Sequence, residues 1–380
     1  MFDEVTSFIR SMYGAEGFIP LHEPRFVGNE KKYLNECIDS TFVSSVGKFV
    51  DQFEHMLCEF TGSKFAIATM NGTAALHMSL ILADVKRDDE VLTQALTFVA
   101  TANTISYTGA SPVLLDSASD NLGLCPDDLE RFLLEFGEMR NNGFCYNNRS
   151  GKRIKACVPM HTFGHPVHLE RIVEICKKYN IFLIEDAAES IGSYYKGKHT
   201  GTISKIGILS FNGNKTITSG GGGALLIQDK ELAIRARHLT TTAKVPHKWI
   251  FFHDEIGYNY RLPNLNAALA CAQLENIKSF LENKRETAEK YRSYFKNSEL
   301  EFVDEPKDCI SSFWLNAVIC KNRKQRDDFL EFTTSKQVMT RPIWKLMSQL
   351  PAFKECQTTE LINAKRYEET VVNIPSSVRI

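Results

Sequence analysis

The stretch Lys205-Ile206-Gly207-Ile208-Leu209-Ser210-Phe211-Asn212-Gly213-Asn214-Lys215-Thr216-Ile217-Thr218-Ser219-Gly220-Gly221-Gly222-Gly223-Ala224-Leu225-Leu226-Ile227 carries the reading of the chain. Two short apolar runs flank a turn, which predicts two buried strands. Inside the turn sits a lone lysine, Lys215, and four glycines follow it; they let backbone approach something flat or bulky. A P-loop would need Gly-x-x-x-x-Gly-Lys-[Ser/Thr] leading into a helix, whereas Asn214 precedes Lys215 and no upstream glycine has that spacing. The stretch alone leaves two readings, a flexible hairpin tip or an amine held ready for a carbonyl.

Working outward, further short apolar runs occur at 65–69, 90–93, 112–115, 156–160 and 181–184. Helical patterns such as 74–85, 129–136 and 169–179 separate most of them, which predicts a seven-stranded, mostly parallel sheet covered by helices on both faces. Upstream, 1–17 reads as a short helix, the prolines of Ile19-Pro20-Leu21-His22-Glu23-Pro24 impose an extended segment, and 29–39 and 49–60 read as helices. Downstream, 264–295 reads as one long helix with an apolar face of Leu265, Ala268, Leu269, Ala272, Leu274, Ile277 and Leu281. It would bridge to a smaller C-terminal α/β unit with strands at 313–319 and 338–343 and a helix at 323–333. The expected division is an N-terminal extension (1–18), a large domain (19–263), a linking helix (264–297) and a small domain (298–380). The polar segment 141–152 reads as an inserted loop.

With 380 residues, 43% of them hydrophobic, 24% charged and a net charge of −1, the chain has the composition of a soluble globular protein. No basic stripe points to nucleic acid, and neither a signal peptide nor a membrane span is readable, so a cytoplasmic protein is expected. The ten cysteines form no Cys-x-x-Cys pair and are read as reduced, mostly buried thiols; no metal-ligand spacing is found.

In a parallel sheet, ligands bind beyond the carboxyl ends of the strands. Asn71-Gly72-Thr73-Ala74 follows the first strand and opens a helix, a turn whose free N–H groups suit a phosphate. Phe98 follows the second strand and offers a flat apolar face, while Asp186 ends the fifth as a part-buried carboxylate in need of a partner. Each alone has a bland reading, as a helix cap or a core residue. Together with Lys215 they match the needs of pyridoxal phosphate: a lysine for the aldehyde, a carboxylate for the ring nitrogen, a plate for the ring and backbone donors for the phosphate.

From about Ile19 to the C-terminus the chain resembles the DegT-type nucleotide-sugar aminotransferases, a branch of the fold type I pyridoxal-phosphate enzymes. The resemblance rests on Ile19-Pro20-Leu21 with Pro24, Asn71 to Leu76, Thr97 to Thr101, Gly109 to Val113, His161-Thr162-Phe163-Gly164, Glu185 to Ser190, Ser210-Phe211 with Lys215, Gly257 to Leu262, and Gln273-Leu274, in that order and spacing. The turn Asn212 to Lys215, the long N-terminal segment and the loop around Asn147 look most like the subgroup acting on UDP-linked 4-keto-6-deoxy-N-acetylhexosamines, as in legionaminic acid synthesis.

The resemblance implies Lys215 as the lysine joined to the cofactor, Asp186 against the pyridine nitrogen and Phe98 stacked on the ring. Gly72, Thr73 and Ser210 would hold the phosphate, with Glu189 also beside the cofactor and Asn259 reaching in from the other subunit of a homodimer. His161, Arg341, Lys345 and Arg25 are the candidates for the sugar and its diphosphate. Two departures stand out: Gly221 takes a place that is often acidic, and Glu189 stands where Gln or His is commoner. A carboxylate facing the cofactor's phenolate oxygen would be repelled unless protonated or turned away. The implied reaction moves an amino group from L-glutamate to a nucleotide-linked 4-keto sugar. A related dehydratase branch carries His at the lysine position, so Lys215 argues for transamination; a silent cofactor-binding regulator is the remaining alternative.

Overall fold

The computed structural model describes residues 1–379, and the last position of the small domain, Ile380, lies outside them. Seven strands form the central sheet: β1 (Phe65–Thr69), β2 (Glu90–Gln94), β3 (Ser111–Leu115), β4 (Ile154–Cys157), β5 (Phe182–Asp186), β6 (Ile206–Ser210) and β7 (Gly223–Ile227). Their order is β1-β7-β6-β5-β4-β2-β3. β7 runs antiparallel to both β1 and β6, and the other neighbours are parallel. Reversal of β7 brings Gly223 level with Thr69 and Ser210, so the start of one strand joins the carboxyl ends of its neighbours.

Period-two alternation explains how both faces are covered. Ala66, Ala68, Leu209 and Leu226 pack with Phe49, Phe53 and Leu57 of α3 (Lys48–Thr61) and with α9 (Asn264–Glu275). Ile67, Ile206, Ile208 and Leu225 turn the other way, onto α4 (Gly72–Leu82), α5 (Val99–Tyr107) and α8 (Lys230–Thr240). The remaining helices of this region are α2 (Glu30–Ser40), α6 (Pro126–Phe136) and α7 (Leu169–Lys178). The fold is the expected α/β arrangement.

A second, antiparallel sheet of β8 (Glu301–Phe302), β9 (Asn316–Ile319), β10 (Arg341–Pro342) and β11 (Val371–Ile374) has the order β8-β9-β11-β10. Val318, Val372 and Ile374 pack with α1 (Phe2–Tyr13), α10 (Ile277–Phe295) and α11 (Arg323–Ser335), so the N-terminal segment is built into the C-terminal core. Ala317, Ile343 and Val371 pack instead, with Tyr367 of α12 (Ile362–Thr370), towards Leu96, Leu122 and Phe163 beyond the strand ends of the large sheet.

Two expectations differ from the structure. The long helix breaks at Asn276, whose amide Nδ2 turns back onto the Ala272 carbonyl at 3.0 Å, giving α9 and α10 in place of one element. The segment 141–152 is partly ordered: residues 137–139 and 145–147 pair as a hairpin, and buried Asn147 donates to Glu90 and Gln357, both at 2.7 Å. All ten cysteines are free. Among the described residues no helix is long and apolar enough to cross a membrane.

Candidate active site

A cavity of about 380 Å³ opens where β1, β5 and β6 end, and Gly72, Thr73, Phe98, Asp186, Glu189, Ser210 and Lys215 all line it. Asn71 caps α4 by accepting from the Ala74 N–H at 2.7 Å, which leaves the Gly72 and Thr73 N–H groups at the positive end of the helix. The glycines nearby are steric necessities. A Cβ on Gly72 would lie 2.9 Å from the Ser210 Cβ, and one on Gly223 would lie 2.5 Å from the backbone of Asn71. The two glycines thus let the start of α4 close onto Ser210 and onto the start of β7.

Asp186 is 2% exposed, accepts from Thr101 Oγ1 at 2.8 Å and from the Ala188 N–H at 3.2 Å, and burial raises its pKa above the ordinary carboxylate value. Phe98 is 47% exposed, so one ring face stays open to a planar ligand. Lys215 reaches Glu189 Oε1 at 3.1 Å, and its Nζ lies 3.7 Å from the centre of the Trp314 ring. The Trp314 indole N–H donates to the Asn214 carbonyl at 2.7 Å, which ties the residue before Lys215 to the C-terminal unit. A phosphate cradle, a flat wall, a buried carboxylate and a reachable amine therefore share one cavity, the donor set that pyridoxal phosphate requires.

The family model described as "DegT/DnrJ/EryC1/StrS aminotransferase family" matches residues 24–380. The chain belongs to this family. Among similar proteins is the GDP-perosamine synthase of Escherichia coli O157:H7, 36% identical over 338 residues, covering 89% of this chain and 88% of that one. The provisionally named pyridoxal phosphate-dependent aminotransferase EpsN of Bacillus subtilis (strain 168) is 37% identical over 336 residues, covering 88% and 84%. The crystal structure of the aminotransferase TlmJ from Streptoalloteichus hindustanus superposes with a TM-score of 0.84 at 26% identity, over 94% of this chain and 93% of that one.

Five residues expected at the site stand outside the lining of this aminotransferase's cavity. His161 is buried; its Nδ1 accepts from the Val167 N–H at 3.2 Å, which leaves Nε2 to donate to Glu185 at 3.3 Å. Arg25 donates to the Val378 carbonyl at 2.9 Å and pairs with Glu23 at 2.6 Å. Lys345 pairs with Glu368, Arg341 is exposed on β10, and Asn259 is exposed beside Thr241. Apart from the cavity, His238, Asp254 and Glu255 bring ligand-capable atoms within 4.8 Å of one another at the surface, but Arg235 already pairs with Glu255 at 2.6 Å.

Sequence reasoning missed Thr101, Trp314 and Trp344, all three in or directly behind the cavity wall. It also missed Lys284 on α10, only 1% exposed. Its Nζ donates to the Ser376 carbonyl at 2.6 Å and the Trp314 carbonyl at 3.1 Å, and meets His22 Nε2 at 3.0 Å. Burial brings its pKa from 10.5 down to about 7. Between those values the unfolded chain holds a proton that the folded protein has released, so this site's contribution to stability rises with pH across that window. In Lys284→Met that rise should be lost, along with about 1–3 kcal/mol for the buried carbonyls left unpaired, partly offset because no charge is buried. Parallel Tm curves for variant and wild type across the window would refute the assignment.

Proposed function

We propose that this aminotransferase transfers the amino group of L-glutamate to a nucleotide-linked 4-keto-6-deoxy sugar, giving a 4-amino sugar, in the cytoplasm. The cofactor is pyridoxal 5′-phosphate, which supplies an aldehyde for amines and an electron-accepting ring. The observation that carries the reading is the convergence of Lys215, Asp186 and the capped start of α4 on one cavity.

Gly72, Thr73 and Ser210 would hold the phosphate, Phe98 the ring face and Asp186 the ring nitrogen. A carboxylate with only two donors inside the protein has lone pairs left for that nitrogen. Lys215, once released from the cofactor, would move a proton from the donor's α carbon and later to the sugar carbon. Trp314 and Trp344 line the cavity with it and would shield the reacting atoms from water.

For the nucleotide, the turn at Asn212 and the loop around Asn147 favour a UDP-linked N-acetylhexosamine. The relatives named GDP-perosamine synthase, from Escherichia coli O157:H7 and from Vibrio cholerae, the latter 33% identical over 361 residues, favour a GDP-linked sugar instead. We further propose that two copies of the chain pair. Trp249, Phe251, Phe252 and Ile256, with Phe42 and Val46, are all more than half exposed, an apolar face that a second copy would cover. Asn259 follows this face and would reach the other copy's phosphate. Incubation with L-glutamate and a panel of UDP-, dTDP- and GDP-linked 4-keto-6-deoxy sugars tests the function; a 4-amino product from one nucleotide series is expected. No product from any, with a cofactor spectrum unmoved by glutamate, would overturn it.

A further inference from the structure

Glu189 is the one titratable residue of the cavity lining, among the described residues, that the proposed reaction leaves without a task. It is 3% exposed, and each of its oxygens has one partner: Oε1 meets Lys215 Nζ at 3.1 Å, and Oε2 accepts from the Phe163 N–H at 3.0 Å. That second donor comes from a strained position. Phe163 sits at φ 58°, ψ 12°, a left-handed conformation that a bulky residue rarely adopts, and Gly164 continues at φ 100°. A Cβ on Gly164 would lie 2.5 Å from Ser312 Oγ and 3.1 Å from the Phe163-facing backbone of Phe313, so the turn after β4 is wedged in place. Strain at a reactive site persists only where the surroundings hold it. Here its product is a single N–H aimed at Glu189.

Two buried carboxyls thus stand three residues apart in unlike settings. Asp186 takes a hydroxyl and an N–H; Glu189 takes an N–H and the amine itself. Environments that separate two such groups divide acid and base work between them. Burial pushes Glu189 up to about 7, against the pull of Lys215 and the Phe163 N–H. The titratable groups that act on it are Lys215, from the turn after β6, and Asp186, from the end of β5; the turn after β4 adds the Phe163 N–H and carries His161, whose ring is held by Glu185 and the Val167 N–H. The C-terminal unit presents the uncharged Trp314 ring to Lys215, with Lys284 behind its carbonyl and His22 beyond.

We infer that Glu189 is a catalytic proton exchanger for Lys215, taking the ammonium's proton so that the amine can act as nucleophile and base, and returning it afterwards. In the step an N–H bond of Lys215 breaks, its electron pair stays on nitrogen, and an O–H bond forms at Glu189 Oε1; an ion pair becomes a neutral acid and a neutral amine. The Phe163 N–H serves either form of Oε2, so no heavy atom has to move. A neutral Glu189 also removes the repulsion that a carboxylate beside the cofactor's phenolate would bring. A Gln amide at this place could not take the proton of an ammonium, which makes the exchanger a property of chains with a titratable group here.

The inference rests on the proposed transamination, and Glu189→Gln tests it apart from that reading. Gln keeps the acceptor for Phe163 and the size of the side chain. Two measurements are made on wild type and variant: the rate of the half-reaction with L-glutamate across pH on the cofactor-loaded proteins, and the infrared band of a protonated carboxyl on the same proteins stripped of cofactor. Expected are a roughly 10²-fold or greater fall in the half-reaction rate, loss of the rate's titration near 7, and a protonated-carboxyl band that fades as the pH is raised through that value in wild type and is missing in the variant. Glu189→Asp, which keeps an exchangeable proton at longer reach, should recover part of the rate. Equal rates for wild type and Glu189→Gln, or no protonated-carboxyl band below that pH, would overturn the inference. A wild type that does not react with glutamate would overturn the transamination reading itself.

Discussion

Lys215→Ala is expected to lower turnover by roughly 10⁴-fold or more, since it removes a nucleophile and an acid–base group in one substitution. The cavity offers no deputy. Lys215 is the sole lysine of its lining among the described residues, and the other buried amine, Lys284, lies behind the Trp314 carbonyl and is spent on three partners. The visible absorbance that the cofactor owes to its bond with a lysine should vanish from the variant as well, while the fold holds, because Lys215 contributes one ion pair and a ring contact to the structure. Lys215→Arg should not recover activity: its guanidinium stays protonated at any working pH. An active, still yellow Lys215→Ala protein would remove the basis of the functional reading.

Asp186→Asn should follow with a loss on the order of 10²–10³-fold, the scale of removing one aimed electrostatic partner. The substitution keeps the shape and an acceptor for Thr101 but abolishes the negative charge. Burial raises the pKa of Asp186 above the ordinary carboxylate value, which a cation opposite it would counter. Asn can meet no such cation. The loss should appear both in the affinity for pyridoxal phosphate and in the rate of the glutamate half-reaction, measured by dialysis and by stopped-flow spectra. An unaltered rate with full cofactor occupancy would show that the carboxylate opposes something other than the ring nitrogen.

The central sheet could be read from the chain because its strands are buried on both faces and so appear as uniform apolar runs; helices alternating with them leave few topologies. Asn71, Phe98, Asp186 and Lys215 were readable for the same reason, as each follows one such run directly. The break at Asn276 was hidden because both helices bury residues into neighbouring parts of one core, and the apolar period passes through the break unaltered. The hairpin at 137–147 was hidden by its polar composition, although the Asn147 amide holds it through buried contacts. Trp314 and Trp344 lie 99 and 129 residues beyond Lys215 in the chain, and only the packing of the second sheet onto the strand ends brings them to the cavity. Their legible signal was scarcity, since the chain has just three tryptophans.

The ammonium of Lys284 joins His22, Trp314 and Ser376, which stand near the two ends of the chain and well inside its final third. On the ribosome the first of these partners emerges long before the last. The large sheet can therefore assemble while the wall behind Lys215 is still unset, because Ser376 comes long after Ile227, where the sheet's last strand ends. A chain cut before Ser376 would carry every residue that lines the cavity and still lack one of the carbonyls that hold Lys284 behind Trp314.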